Sequence, residues 1–156
     1  HIQAVSRFRQ ELLSDGALTS TERPAPAKRK ETLSFLLKCA DVGGSAKAFQ
    51  LHAGWTMRIN DEFFRQGDAE RALGLPCSPF CDRNHTKVCE SQHGFFSFIA
   101  EPMFAALAEL LHSQRLEVEI FGQLENNHRF WQEYDGNDFD HKMPCANREV
   151  LHEAYK

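Results

Sequence analysis

The chain has 156 residues, of which 42% are hydrophobic and 26% charged, and a net charge of −4. That length suits one domain and leaves no room for two comfortable ones. The acidic balance excludes a broad basic field for nucleic acid, and no apolar run approaches the roughly 20 residues of a bilayer crossing, so no membrane span is expected. His1-Ile2-Gln3 leads straight into a charged amphipathic stretch and not into a secretory signal. Cys39, Cys77, Cys81, Cys89 and Cys145 are odd in number and unevenly spaced. They match neither a disulfide framework nor a zinc finger, which points to free thiols and a cytoplasmic location.

In chain order, Ile2, Val5, Phe8, Leu12 and Leu13 recur close to helical spacing and predict a first helix ending at Ser14-Asp15-Gly16. A polar loop through Pro24 and Pro26 follows. From Ala27 a second helix is expected, apolar nearly all round through Leu33, Phe35, Leu36, Leu37 and Ala40, and therefore deeply buried. It runs out at Asp41, and Gly43-Gly44 breaks it. A longer helix over 47–73 carries Trp55, Ile59, Phe63 and Gln66 as one stripe, and Gly74-Leu75-Pro76 stops it.

Asp82 is a candidate N-cap for a helix reaching Ala100, with Pro102 bending or restarting the chain before 103–111. A further helix over 118–134 is amphipathic through Leu124, Phe130 and Trp131. From Asp135 the composition turns polar, which predicts a poorly ordered tail over 135–156. Few stretches alternate with period two, so the fold class is all-α, a compact multi-helix array.

Two positions point to chemistry. Asp41 ends an apolar helix, where a carboxylate is costly unless a cation or several donors meet it. Spacing alone leaves two readings open, a ligand for a hard divalent ion or a helix-end Asp that caps or salt-bridges. Gln92 shares a predicted apolar face with Phe95, Phe96 and Ile99. An amide presents a donor and an acceptor and exchanges them on rotation, so beside an aromatic ring it can hold a purine. The other reading is a core Gln bonded to backbone or water.

Other patterns carry less. Asp135, Asp138 and Asp140 suggest a calcium loop, but its turn Gly and closing Glu are misplaced or absent. His85, His93, His112 and His128 are scattered singly. There is no His-Glu-x-x-His element, Gly-x-Ser-x-Gly elbow or phosphate-cradling glycine loop.

Several blocks stand in a fixed order. They are Lys38-Cys39-Ala40-Asp41, Trp55-Thr56-Met57-Arg58-Ile59, Glu62-Phe63-Phe64-Arg65-Gln66-Gly67-Asp68, Gly74-Leu75-Pro76-Cys77-Ser78-Pro79-Phe80-Cys81-Asp82-Arg83, Ser91-Gln92-His93-Gly94-Phe95-Phe96 and Phe98-Ile99-Ala100-Glu101-Pro102. Together they resemble the second half of the class I cyclic-nucleotide phosphodiesterase catalytic domain, in wording most similar to its calcium/calmodulin-dependent branch. Residues 1–134 are then the C-terminal part of that helical domain.

The resemblance implies hydrolysis of 3′,5′-cyclic AMP, cyclic GMP or both by a metal-activated hydroxide. Asp41 is implied as one ligand of a divalent pair, zinc and magnesium or manganese. Gln92 is implied as the purine-edge reader, Phe95 and Ile59 as the clamp on the base, and Phe63 as a further lining residue. The general-acid His and the remaining ligands belong to motifs that these 156 residues do not contain. The chain is therefore expected to be part of a longer enzyme, inactive alone, with room for regulatory domains outside it. Lys38 and Gly43-Gly44-Ser45 depart from the family's usual text. Gly44 offers no side chain to bias base choice, so dual specificity is expected. A non-catalytic helical module that binds nucleotide or a protein partner is the alternative.

Overall fold

The computed structural model describes residues 26–111 and 117–134. The expected first helix over 2–13 and the tail over 135–156 lie outside the described residues, as do His112 and Cys145. Among the described residues there are helices and turns and no strand, so the all-α expectation holds. The chain divides into two compact units, residues 1–47 with 94–125 and residues 48–93 with 126–156.

In the first unit, helix α1 spans Pro26–Asp41. Proline suits a helix's first position, where its missing N–H has no partner to lose. Gly43–Ala46 then tightens into a 3-10 turn, closed by Ser45, whose hydroxyl donates to the Val42 carbonyl at 2.8 Å. The expectation that α1 is buried all round is corrected. Phe35 and Cys39, one turn apart, are buried, whereas Leu33 is 67% and Leu37 72% exposed. One stripe of α1 packs against helix α4, Glu101–Leu111, which buries Met103, Phe104, Ala106, Leu107, Ala108 and Leu110. Burial also pushes the Cys39 thiol up to about 11.

Pro102 does not interrupt the chain's course. Helix α3, Val88–Phe95, continues through a π turn at Phe96–Ala100 into α4. The Glu101 N–H bonds to the Phe96 carbonyl five residues back, and such a widened turn relieves the clash that proline makes in a regular helix. The run Val88–Leu111 is long and apolar enough by length and composition to cross a membrane, which corrects the expectation that none is. It carries Glu90, Glu101 and Glu109 and buries Phe96, Ala100, Met103 and Leu107 within the chain, the pattern of a core helix.

In the second unit, helix α2 spans Phe49–Ala72. It ends where Gly74 takes φ +71°, with the Leu75 N–H reaching back to the Glu70 carbonyl and the Gly74 N–H to that of Arg71. That is the left-handed glycine stop, which a Cβ would strain. The buried face of α2 is His52, Ala53, Gly54, Thr56, Asn60, Phe64 and Gly67. Helix α5, Gly122–Glu133, follows a second π turn at Glu117–Phe121 and belongs to this unit from Asn126 onward. Its C-terminal half meets α2 through Phe130 on Phe49, ring centroids 4.4 Å apart, and through the buried Trp131 indole, which donates to His52 Nε2 at 2.7 Å.

Candidate functional site

The stripe predicted on α2 is present but faces outward. Trp55, Ile59 and Phe63 are 44%, 46% and 40% exposed. Gln66, at the end of the stripe, donates to Glu70 Oε1 at 2.9 Å. The Arg58 guanidinium covers the Trp55 ring at 5.3 Å. Three large apolar side chains thus stand open at successive turns of α2.

The segment between α2 and α3 is held by charge and by one close approach. A Cβ on Gly67 would lie 2.0 Å from the Cys81 carbonyl oxygen, so only glycine lets the 77–83 loop lie on α2. Glu70 accepts from the Ser78 N–H and hydroxyl, both at 2.6 Å, and these bonds hold its carboxyl below the usual range. Arg83 forks onto Asp68, with Nε donating to both carboxylate oxygens at 2.9 and 3.1 Å and Nη2 to Oδ2 at 2.5 Å, and lies over the Phe64 ring. Its hydrogen bonds likewise hold Asp68 low. Asp82 is not a helix cap. It accepts from His85 Nδ1 at 2.8 Å, from the Asn84 N–H and from Arg71. The carboxylate thereby shapes a turn, and α3 begins only at Val88.

Gln92 stands on α3, half-buried, and its amide has no hydrogen-bond partner among the described residues. Both its donor and its acceptor are open to a ligand. Phe95, one turn on, is half-buried and meets Phe96 edge-on at 5.9 Å. Ile59, Phe63 and Gln92 belong to the second unit, Asp41 and Phe95 to the first.

Asp41 is exposed, contrary to the sequence argument that it sits at the edge of a buried segment, because α1 buries one stripe only. No ion-pair partner meets it among the described residues, so desolvation gives no reason for a cation there. Nor do the described residues hold a group of three or more His, Cys, Asp or Glu side chains that could bind a metal. A divalent pair needs more ligands than this one carboxylate, so the described residues do not fit that pair by themselves.

Spacing missed one contact. His93 and His128 are not single. His93 Nδ1 lies 2.7 Å from His128 Nε2, with the rings stacked at 4.9 Å and 29°. Thirty-five positions separate them, and no periodicity reports a pair that distant. The loop bonds of Glu70, Asp68 and Asp82 were equally silent, since charged residues on a helix end usually face solvent.

A family model described as 3′5′-cyclic nucleotide phosphodiesterase matches residues 1–120. The human dual specificity calcium/calmodulin-dependent 3′,5′-cyclic nucleotide phosphodiesterase 1C is 48% identical over 92 residues, 59% of this chain and 13% of that protein. The corresponding enzyme 1 of Drosophila melanogaster is 42% identical over 111 residues, 71% of this chain and 12% of its own length. The mouse 1B enzyme is 44% identical over 103 residues, 66% of this chain and 19% of that protein. The chain thus spans less than a fifth of these relatives. The solved structure of LmjPDEB1 in complex with IBMX superposes with a TM-score of 0.69 at 28% identity, covering 85% of this chain and 38% of that one.

Proposed function

We propose, from the premise that this chain belongs to the 3′5′-cyclic nucleotide phosphodiesterase family, that it is the base-binding part of an enzyme cleaving cyclic AMP, cyclic GMP or both to 5′-nucleoside monophosphates. The family match over residues 1–120 carries this reading. The open amide of Gln92 and the outward apolar stripe of α2 support it.

In this reading Gln92 hydrogen-bonds the purine edge, and rotation of its amide lets it serve adenine or guanine. Phe95 and Ile59 hold the faces of the base, and Phe63 lines the same pocket. Stacking against an aromatic ring and an apolar side chain excludes water around those hydrogen bonds and strengthens them. Gly44 adds no side chain that would favour one base, in keeping with the dual specificity in the names of the calcium/calmodulin-dependent relatives.

Asp41 contributes one ligand to a divalent pair, zinc with magnesium or manganese, and the other ligands and the general-acid His come from residues beyond this chain. Held by Asp41 together with those further ligands, such a pair would polarise a phosphate and lower the pKa of a water. The 156 residues alone are then inactive, and the reaction runs in the cytosol, with calcium/calmodulin-type regulation supplied from elsewhere in the protein.

The test is hydrolysis of both cyclic nucleotides by the full protein and by Gln92→Ala. Losing hydrogen bonds to the base lowers kcat/KM by about 10–100-fold, mostly through KM. Wild-type binding without hydrolysis would favour a non-catalytic nucleotide-binding module, the reading to which the Gly43-Gly44-Ser45 departure lends weight. Wild-type protein that neither binds nor cleaves, or an unaffected Gln92→Ala enzyme, overturns the proposal.

A further inference from the structure

We propose that His93 and His128 form a positioning pair that sets the direction of Gln92; this rests on the nucleotide-binding reading above. Helix α3 has eight residues and buries none of them. It runs on through the Phe96–Ala100 turn into α4, whose packing holds its far end, but no side chain is buried in the stretch that carries Gln92. Lys87 and Glu90 pair at 2.7 Å, but both lie at the exposed start of the helix and say nothing of where its sides point.

The His93–His128 contact is different in kind. His128 is 7% exposed on α5, which is itself anchored by the buried Leu124 and Trp131 and by the indole bond to His52 on α2. The Nδ1···Nε2 separation of 2.7 Å is that of a well-formed hydrogen bond. The Gln132 amide nitrogen stands 3.3 Å from the same Nε2. Two imidazoles therefore tie the stretch of α3 around Gln92 to α5.

Gln92 is the neighbouring residue. Helix side chains lie about 5–6 Å from the axis, so a 15° turn of α3 displaces the amide by about 1.5 Å, enough to break a hydrogen bond to a base edge. His93 need not touch the nucleotide. It acts through its neighbour.

The experiment uses the full protein and reads KM, kcat and the dissociation constant of cyclic AMP and cyclic GMP for His93→Ala, His93→Asn, His128→Ala and His128→Gln. Asn places a polar atom near the position of Nδ1, and Gln near that of Nε2. The alanine variants should raise KM and the dissociation constant about tenfold while kcat stays within about twofold. The Asn and Gln variants should recover most of the loss, and the double alanine variant should be no worse than either single one.

Unchanged KM, a fall in kcat at constant KM, or Asn behaving no better than Ala overturns the inference while leaving the function intact. If His128→Ala does not fold, the two variants at the exposed His93 decide. Wild-type protein that binds neither nucleotide removes the functional reading, and this inference with it.

Discussion

The two faces of α2 invert the usual order. Inward it presents His52, Thr56, Asn60 and Gly67 beside Ala53 and Phe64; outward it shows Trp55, Ile59 and Phe63. Two of the inner polar side chains, Asn60 and His52, are affordable because they are bonded. Asn60 Nδ2 donates to the Thr56 carbonyl at 2.8 Å, and His52 Nε2 accepts from Trp131. Small and bonded residues permit close approach, whereas large apolar ones turned to solvent gain nothing until something covers them. The inner face serves stability, and the proposed function gives the outer face a binding role.

That division can be broken most strongly at Gly67. Gly67→Ala forces a methyl group into the Cys81 backbone and should destabilise the protein by about 3 kcal/mol, measured by denaturant unfolding. A loss under about 0.5 kcal/mol would show that the loop slides freely over α2. A smaller effect is expected on the outer face. Phe63→Ser should leave stability within about 0.5 kcal/mol yet raise KM about fivefold, from loss of an aromatic contact of about 1 kcal/mol. Equal losses of stability and affinity would erase the distinction between the faces.

The smallest effect concerns the acidic rim of the inner face. Hydrogen bonds from Arg83, Ser78 and His85 hold Asp68, Glu70 and Asp82 below their ordinary values. A carboxyl depressed in the folded state stabilises fully above its unfolded value and ceases to as pH falls through the folded one. The ordinary values are 3.8 for Asp and 4.5 for Glu. The thermal midpoint should thus stay level from about pH 7 to 5 and decline below about pH 4, and Asp68→Asn should flatten that decline. These groups are exposed, so the change is modest. An unaltered slope in Asp68→Asn would remove the Arg83 fork from the account.

Much of the fold was legible because punctuation and periodicity agree. Gly74-Leu75-Pro76 ends α2 within a residue or so of expectation, and the 118–134 helix is recovered as a π turn followed by α5. Legibility failed where one rule hid another. Four apolar residues between 33 and 37 suggested burial all round, but a helix against one neighbour buries one stripe, leaving Leu33 and Leu37 outside. Pro102 signalled a break, and a π turn absorbed it. Asp82 resembled a cap and instead organised a turn. For the candidate site, Gln92 and its aromatic neighbours came from local text, since they lie within one turn of each other. The His93–His128 contact joins remote segments, which only the fold brings together.

The indole of Trp131 can only donate, so the bond it makes obliges the imidazole of His52 to keep a bare lone pair at Nε2 and to carry its single proton on Nδ1. One tautomer of a deeply placed ring is thereby selected by an aromatic neighbour 79 positions away. Such a long closure comes late and slowly compared with the winding of individual helices. The tautomer of His52 is consequently selected only where α2 and α5 have packed together.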